Sequence, residues 1–283
     1  MAAFILYTYQ FSPLFDESPS LFSDDRQDTT TIWENKQKVF SEVFESVVFR
    51  HRNSTYEHET IYNENGIIVI KIANNKSITQ ENSFVTKKLD HHPSCAIIFD
   101  NRKDVQNIYI EDNTYSFSDT SVVANILQSS FNHYLKSFGL SIVVNKRFKT
   151  QEFWQYVSSV NEGITMLRFC YLYPNLPKVQ EKIDEALART SSSFHSKKTT
   201  VEYNAGENES LDISEDNPDL NNLVEAASIS GNDIKLRVGK FRRIKTIGET
   251  SEVVEIDNLE ASLSSDLLST AAQKLLSILN RFK

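Results

Sequence analysis

The sequence predicts an α+β protein with mixed, mostly antiparallel sheets, packed amphipathic helices and a C-terminal helix. Three observations carry that expectation. Strand-like and helix-like segments follow one another without regular βα alternation, turn signals join consecutive strand-like runs, and no glycine fingerprint opens a helix after a strand. With 283 residues, 40% of them hydrophobic, the chain can bury about three-quarters of its unfolded surface without staples.

Phe4 to Phe11 alternates as a strand, with Tyr7, Tyr9 and Phe11 on one face. A polar segment follows, and then Trp33, Val39, Phe40, Val43, Phe44 and Val47 recur at helical spacing, predicting an amphipathic helix over 32–47. In HETIYNENGIIVIKIA, Asn65-Gly66 supplies the positive-φ turn of a hairpin. Residues 74–94 are polar and weakly patterned, and read as a long loop with at most one short helix. A second hairpin joins CAIIFD to VQNIYIED through NRKD. Asp119 then caps a helix whose stripe runs from Val122 to Phe138 and ends at Gly139, and LSIVVNK returns as a strand.

The second half opens on a short helix around Phe153 and Trp154, followed by the strand ITMLRFCYLY. Pro174 and Pro177 frame a helix reaching Leu187, and a strand centres on Val201. Asn217 caps a helix through Leu220, Leu223, Val224 and Ala227. Three strands are expected between 233 and 256, and a leucine-rich helix ends the chain. The length suits either one large domain or two, and a weak composition change near residue 148 would divide an N-terminal α+β domain over 1–147 from a C-terminal one over 148–283 that carries the basic hairpin.

Two cysteines, Cys95 and Cys170, form no disulfide framework and point to a reducing compartment. The opening MAAFILYTYQF has no basic segment before its apolar run and no small-residue cleavage site after it, so it reads as a strand rather than a signal peptide. No stretch approaches the roughly 18 apolar residues of a membrane span, and the expected location is cytoplasmic, without a membrane partner. A net charge of −8 argues against a protein that coats nucleic acid over its whole surface but leaves room for a local basic site.

Such a site is KLRVGKFRRIK, residues 235–245, with six basic residues and no acid. With Gly239 in the turn, Lys235 and Arg237 leave one face of a β-ribbon while Ile234, Leu236 and Val238 leave the other. Arg243 and Lys245 are expected to join that outer face from the partner strand, with Phe241 beside them and Lys240 and Arg242 in the same segment. Cations and an aromatic ring on a ribbon suit a phosphate backbone and a stacked base. The opposing reading is internal neutralisation, because residues 202–233 carry nine acids and no Lys or Arg.

Other constellations are weaker. Asp90-His91-His92 matches the tripeptide of a two-metal phosphoesterase family but lacks its upstream aspartates. His91, His92 and Cys95 with His58 could form a zinc set, though only one ligand cluster is visible. Asp100, Asp104, Glu111 and Asp112 offer carboxylates for a metal-dependent nuclease, but Val69 stands where the acid two residues before Lys71 would be needed. No phosphate-binding glycine loop, nucleophile elbow, HExxH or CxxC occurs, so no catalytic residue, metal site or cofactor is assigned.

The chain has a tyrosine-bearing first strand, a hairpin running into IVIKIANNKSITQ with Asn75-Lys76-Ser77 after Lys71, a further strand and helix, the NPDLNNLVEAASISGNDI helix-to-strand segment and a C-terminal helix. In that order of elements it resembles the phage lambda Rex exclusion proteins. That resemblance implies DNA binding and a part in phage exclusion, and it transfers no individual functional residue. The expected function is therefore non-enzymatic nucleic-acid binding, of DNA before RNA, in an anti-phage defence or phage-exclusion system, with a possible protein partner encoded nearby. The alternatives are a protein-interaction subunit, using the acidic segment or the C-terminal helix, and a metal-dependent phosphoesterase or nuclease.

Overall fold

A computed structural model describes residues 2–14, 35–102, 105–172, 198–239, 243–256 and 268–282, with the single positions 190, 194 and 196. Among them are fifteen strands and five α-helices in mostly antiparallel sheets, an α+β fold. The chain divides into two compact units. The first holds residues up to Leu6, those described before Gly139, and those from Val253 onward; the second holds Tyr7 to Leu14 and Leu140–Glu252. The last strand and helix therefore group with the N-terminal half.

In the first unit, β4 (His58–Glu64) and β5 (Ile67–Ala73) are joined at Asn65-Gly66, whose φ angles of 53° and 76° are those of the expected hairpin turn. The next strands are β8 (Ser94–Asp100) and β9 (Asn107–Glu111), and β9 lies beside the first half of β1 (Ala2–Pro13), giving the order β1-β9-β8-β5-β4. Ala2 to Ile5 also pair with β15 (Val253–Ile256). Strands β5 and β8 are nearly continuous apolar runs because the sheet is covered on both faces.

On one face of that sheet Phe99 meets Phe40 and Phe44 of α1 (Lys36–Ser46) and Phe131 of α2 (Thr120–Leu135), with ring centroids 4.9–6.0 Å apart in the closest pairs. On the other, Phe4, Ile67, Val69, Ile98 and Tyr109 pack against Leu275 and Leu279 of α5 (Leu268–Leu279). Helix α2 has the expected Asp119 cap, whose Oδ1 accepts from Ser121 N at 2.6 Å. The short strands β2 (Phe49–His51) and β3 (Ser54–Tyr56) sit on α2, where Ser130 Oγ accepts from Arg50 N.

Residues 74–94 are not a loop. They form an antiparallel ribbon of β6 (Lys76–Asn82) and β7 (Val85–His91), turned by Ser83 and Phe84 at φ 49° and 66°. The ribbon pairs with no further strand among the described residues, so it has no buried face to impose a strong alternation on its sequence. Ile78, Val85 and Leu89 share one face and are all exposed, and Phe84 at the tip is 97% exposed.

In the second unit the later part of β1 pairs with β10 (Leu140–Lys146). A four-stranded antiparallel sheet has the order β12-β11-β13-β14, formed by Lys198–Asn204, Ile164–Leu172, Ile234–Val238 and Lys245–Ile247 in that sequence. Helices α3 (Thr150–Ser159) and α4 (Pro218–Ser230) cover one face, where Phe153, Leu167, Phe169, Val224, Ile234, Leu236 and Ile247 form the core. Asn217 Oδ1 caps α4 by accepting from Asp219 N and Leu220 N. Gly231 ends the helix at φ 64°, where an added Cβ would come within 2.6 Å of Lys146 O, so both the conformation and the space demand glycine. The helix expected from Pro174 to Leu187 and the start of the final helix lie outside the described residues.

Candidate nucleic-acid interface

The candidate site is built on β13, whose alternation follows from its place beside β11. Ile234 and Leu236 are fully buried toward the helices, so Lys235 and Arg237 must leave the opposite face, where both are half-buried. Pairing extends this row across the sheet. Arg168 lies opposite both Lys235 and Glu202, and Thr246 lies opposite Lys235. Met166 lies opposite Arg237 and Asn204 in the next row. Strand end and turn are held where Thr165 Oγ1 donates to Gly239 O at 2.9 Å and Gly239 N donates to Gly163 O at 2.8 Å.

The register corrects one expectation. Lys245 sits opposite Leu236, so its side chain leaves on the helix-covered side, away from Lys235 and Arg237. Its Nζ lies 6.0 Å above the ring of Tyr156 on α3. Arg243 precedes β14 and is exposed, and with Tyr156, Val238, Ile244, Lys245 and Glu249 it borders a cleft of about 540 Å³. Continuous alternation through the turn does not hold because the two strands are separated by several residues rather than by a tight two-residue turn. Lys240, Phe241 and Arg242 lie outside the described residues.

Arg168 is the outer-face cation that the sequence reading missed. It stands in β11, far from the basic segment in sequence, and only strand pairing brings it beside Lys235. Its Nε donates to Glu202 Oε2 at 2.5 Å, with both side chains about one-third exposed. Donation from Asn204 and from Arg168, with the further positive charge of Arg237, holds the Glu202 carboxyl below its usual range. Glu202 is thus an acid of the 202–233 segment that reaches this face, and its ion-pair partner is Arg168. Asp233 lies at the start of β13. Burial pushes its carboxyl up against the pull of Lys235, and the charges of Glu152 and Glu249 add to the upward shift. Arg237 Nε is buried with no hydrogen-bond partner among the described residues. Arg168, Lys235 and Arg237 against Glu202, with Asp233 acting on Lys235 from the start of β13, leave the outer face a small excess of positive charge.

The loop after β14 is clamped from α3. Glu152 accepts from Gly248 N and Glu249 N at 3.2 Å and from Thr250 N at 2.6 Å, so three successive N–H groups converge on one carboxylate. Burial opposes ionisation there, but the donated N–H groups outweigh it and hold the Glu152 carboxyl below its ordinary value. The loop that carries Glu249 to the cleft is therefore fixed at its backbone.

The other constellations do not assemble. No group of three or more His, Cys, Asp and Glu side chains is gathered as a metal ion would need, among the described residues. His92 Nδ1 is 3.2 Å from Asn75 Oδ1, and His91 packs edge-on against Tyr115. The Cys95 thiol is buried and pushed up to about 12, chiefly by that burial, which keeps it protonated and a poor ligand. Asp100 is fully buried and held by two N–H groups of the Arg102 guanidinium at 2.8 and 2.6 Å, while Arg102 Nη1 reaches Asn280 Oδ1. Glu111 accepts from Ala96 N. These carboxylates serve the fold, and Lys103 and Asp104 lie outside the described residues. On the final helix, Leu275 and Leu279 are buried against the first sheet, which removes them as an exposed docking surface.

Among the described residues no helix is long and apolar enough to cross a membrane. No family model, curated protein or solved structure matches this chain.

Proposed function

We propose that this protein binds nucleic acid through the outer face of its four-stranded sheet, with Arg168, Lys235 and Arg237 contacting phosphates. One observation carries the reading: strand pairing sets Arg168 beside Lys235, with Arg237 one row on beside the buried Met166, and the neighbouring acid, Glu202, is already engaged by Arg168. An open sheet face carrying several cations suits an extended phosphate backbone better than one small molecule. The proposal is one of binding without chemistry. Phage exclusion is the setting implied by the resemblance to the Rex exclusion proteins, and DNA is the expected ligand on the same ground.

The test is fluorescence anisotropy of labelled duplex DNA, single-stranded DNA and RNA across a salt series. Three phosphate contacts to duplex DNA should give a slope of about −2.7 for log affinity against log salt. A K235E/R237E variant should abolish binding while leaving the circular dichroism spectrum unchanged. Binding that survives in this variant, or that does not respond to salt, would overturn the assignment.

A further inference from the structure

The cleft on the helix side of β14 holds two further cations of the basic segment, Arg243 and Lys245. Arg243 and Lys245 stand at its rim, both exposed, and neither has an ion-pair partner among the described residues. Tyr156 presents its ring, Val238 and Ile244 add apolar wall, and Glu249 brings a carboxylate on a loop fixed by Glu152. The volume of about 540 Å³ falls within the range of small-ligand sites. Each wall therefore offers a different chemistry: two cations for an anion, an aromatic and aliphatic surface for a flat ring, and an acceptor for a hydroxyl or amino group.

We infer that this cleft takes a nucleoside 5′-phosphate, its phosphate on Arg243 and Lys245, its base against Tyr156 and a hydroxyl or amino group toward Glu249. The guanidinium fork is the side chain best matched to two phosphate oxygens, and an ammonium adds a second point charge. Base stacking on an aromatic face is tolerant of base identity, so the cleft selects a nucleotide by its phosphate and ring and not by its sequence. Lys245, now over the Tyr156 ring, would exchange that contact for the phosphate as the base slides in. The same chemistry is offered by a free nucleotide or by the 5′-phosphorylated end of a strand. In the second case the inference rests on the nucleic-acid reading above and refines it, because a strand lying on the outer face would be anchored by its end.

Calorimetry on the full chain with adenosine 5′-monophosphate, adenosine and inorganic phosphate tests the cleft directly. The monophosphate should bind roughly tenfold or more tightly than adenosine. R243E/K245E should remove that binding, and Y156L, which keeps apolar bulk, should weaken it by roughly tenfold. Monophosphate binding that R243E/K245E leaves intact would overturn the inference. Anisotropy with a single strand bearing either a 5′-phosphate or a 5′-hydroxyl identifies the source. A preference for the phosphorylated end that disappears in R243E/K245E supports the strand end, and monophosphate binding without that preference supports a free nucleotide. If strands bind through Lys235 and Arg237 while no nucleotide and no phosphorylated end depends on Arg243 and Lys245, the cleft inference falls and the outer-face reading stands. If the monophosphate binds in the cleft and no strand binds at all, the outer-face reading falls and the cleft inference stands.

Discussion

In the first unit the central strands β5 and β8 meet helices on both faces; in the second, strands β11 and β13 meet helices on one. Strands β5 and β8 are apolar on both faces because α1 and α2 lie over one and α5 over the other. Strands β11 and β13 alternate, with Leu167, Phe169, Ile234 and Leu236 under α3 and α4, and Arg168, Lys235 and Arg237 on the opposite face. The difference teaches where function can reside. Where the sheet is buried on both faces a charge must be neutralised inside, as Arg102 neutralises the fully buried Asp100. A sheet covered on one face can keep cations available, and Arg168–Glu202 is an ion pair of that more exposed kind.

The two ion pairs give the sharpest way to break this comparison. Asp100→Ala should lose about 3 kcal/mol in urea denaturation, because it leaves the Arg102 guanidinium without its partner beside a fully buried site. A loss of under about 1 kcal/mol would place it with surface pairs. Glu152→Gln should cost about 1 kcal/mol at neutral pH, since the three N–H groups it accepts from are charge-assisted but the carboxylate is partly solvated. Its folded pKa is lowered, so the stability it contributes is complete above the unfolded value near pH 4.3 and lost as pH falls through the lower folded value. Wild type and variant should therefore converge in acid, and a difference that persists there would assign the effect to packing.

Phe84→Gly should act in the opposite direction, raising the melting temperature. Phe84 buries almost nothing, while its φ of 66° costs about 1 kcal/mol for a residue with a Cβ, part of which the greater freedom of unfolded glycine gives back. An unchanged or lowered melting temperature would show that the ribbon tip makes a stabilising contact. Arg168→Ala should have the smallest effect, under about 0.5 kcal/mol in denaturation, while weakening nucleic-acid affinity measured by anisotropy. A stability loss comparable to that of Asp100→Ala would erase the distinction between the two sheets.

Asn65-Gly66 and Ser83-Phe84 adopt nearly the same pair of positive φ angles, yet only the first was legible in the sequence. Asparagine and glycine announce a left-handed turn because they tolerate it, whereas serine and phenylalanine are forced into it by the register of β6 and β7. The Asp119 and Asn217 caps were equally plain, since a cap is local and its side chain bonds within three residues. The candidate site was half legible. Lys235 and Arg237 follow from alternation within one strand, which is also local. Lys245 was assigned to the wrong face because the register of β14 depends on the length and path of the connection, and Arg168 was missed because cross-strand neighbours are written far apart in the chain.

Strand β1 is continuous, but its two halves find their antiparallel partners in distant parts of the sequence: Tyr7 to Pro13 with β10, and Ala2 to Ile5 with residues 253–256. A chain made from its N-terminus exposes this strand, buried in the finished protein from Phe4 to Phe11, long before either partner exists. Its closing contacts join residues about 250 positions apart, which slows folding and leaves an apolar edge open in the interval. The same strand is thus where the nascent protein depends most on being shielded, by a chaperone or by dilution, from pairing with another copy of itself.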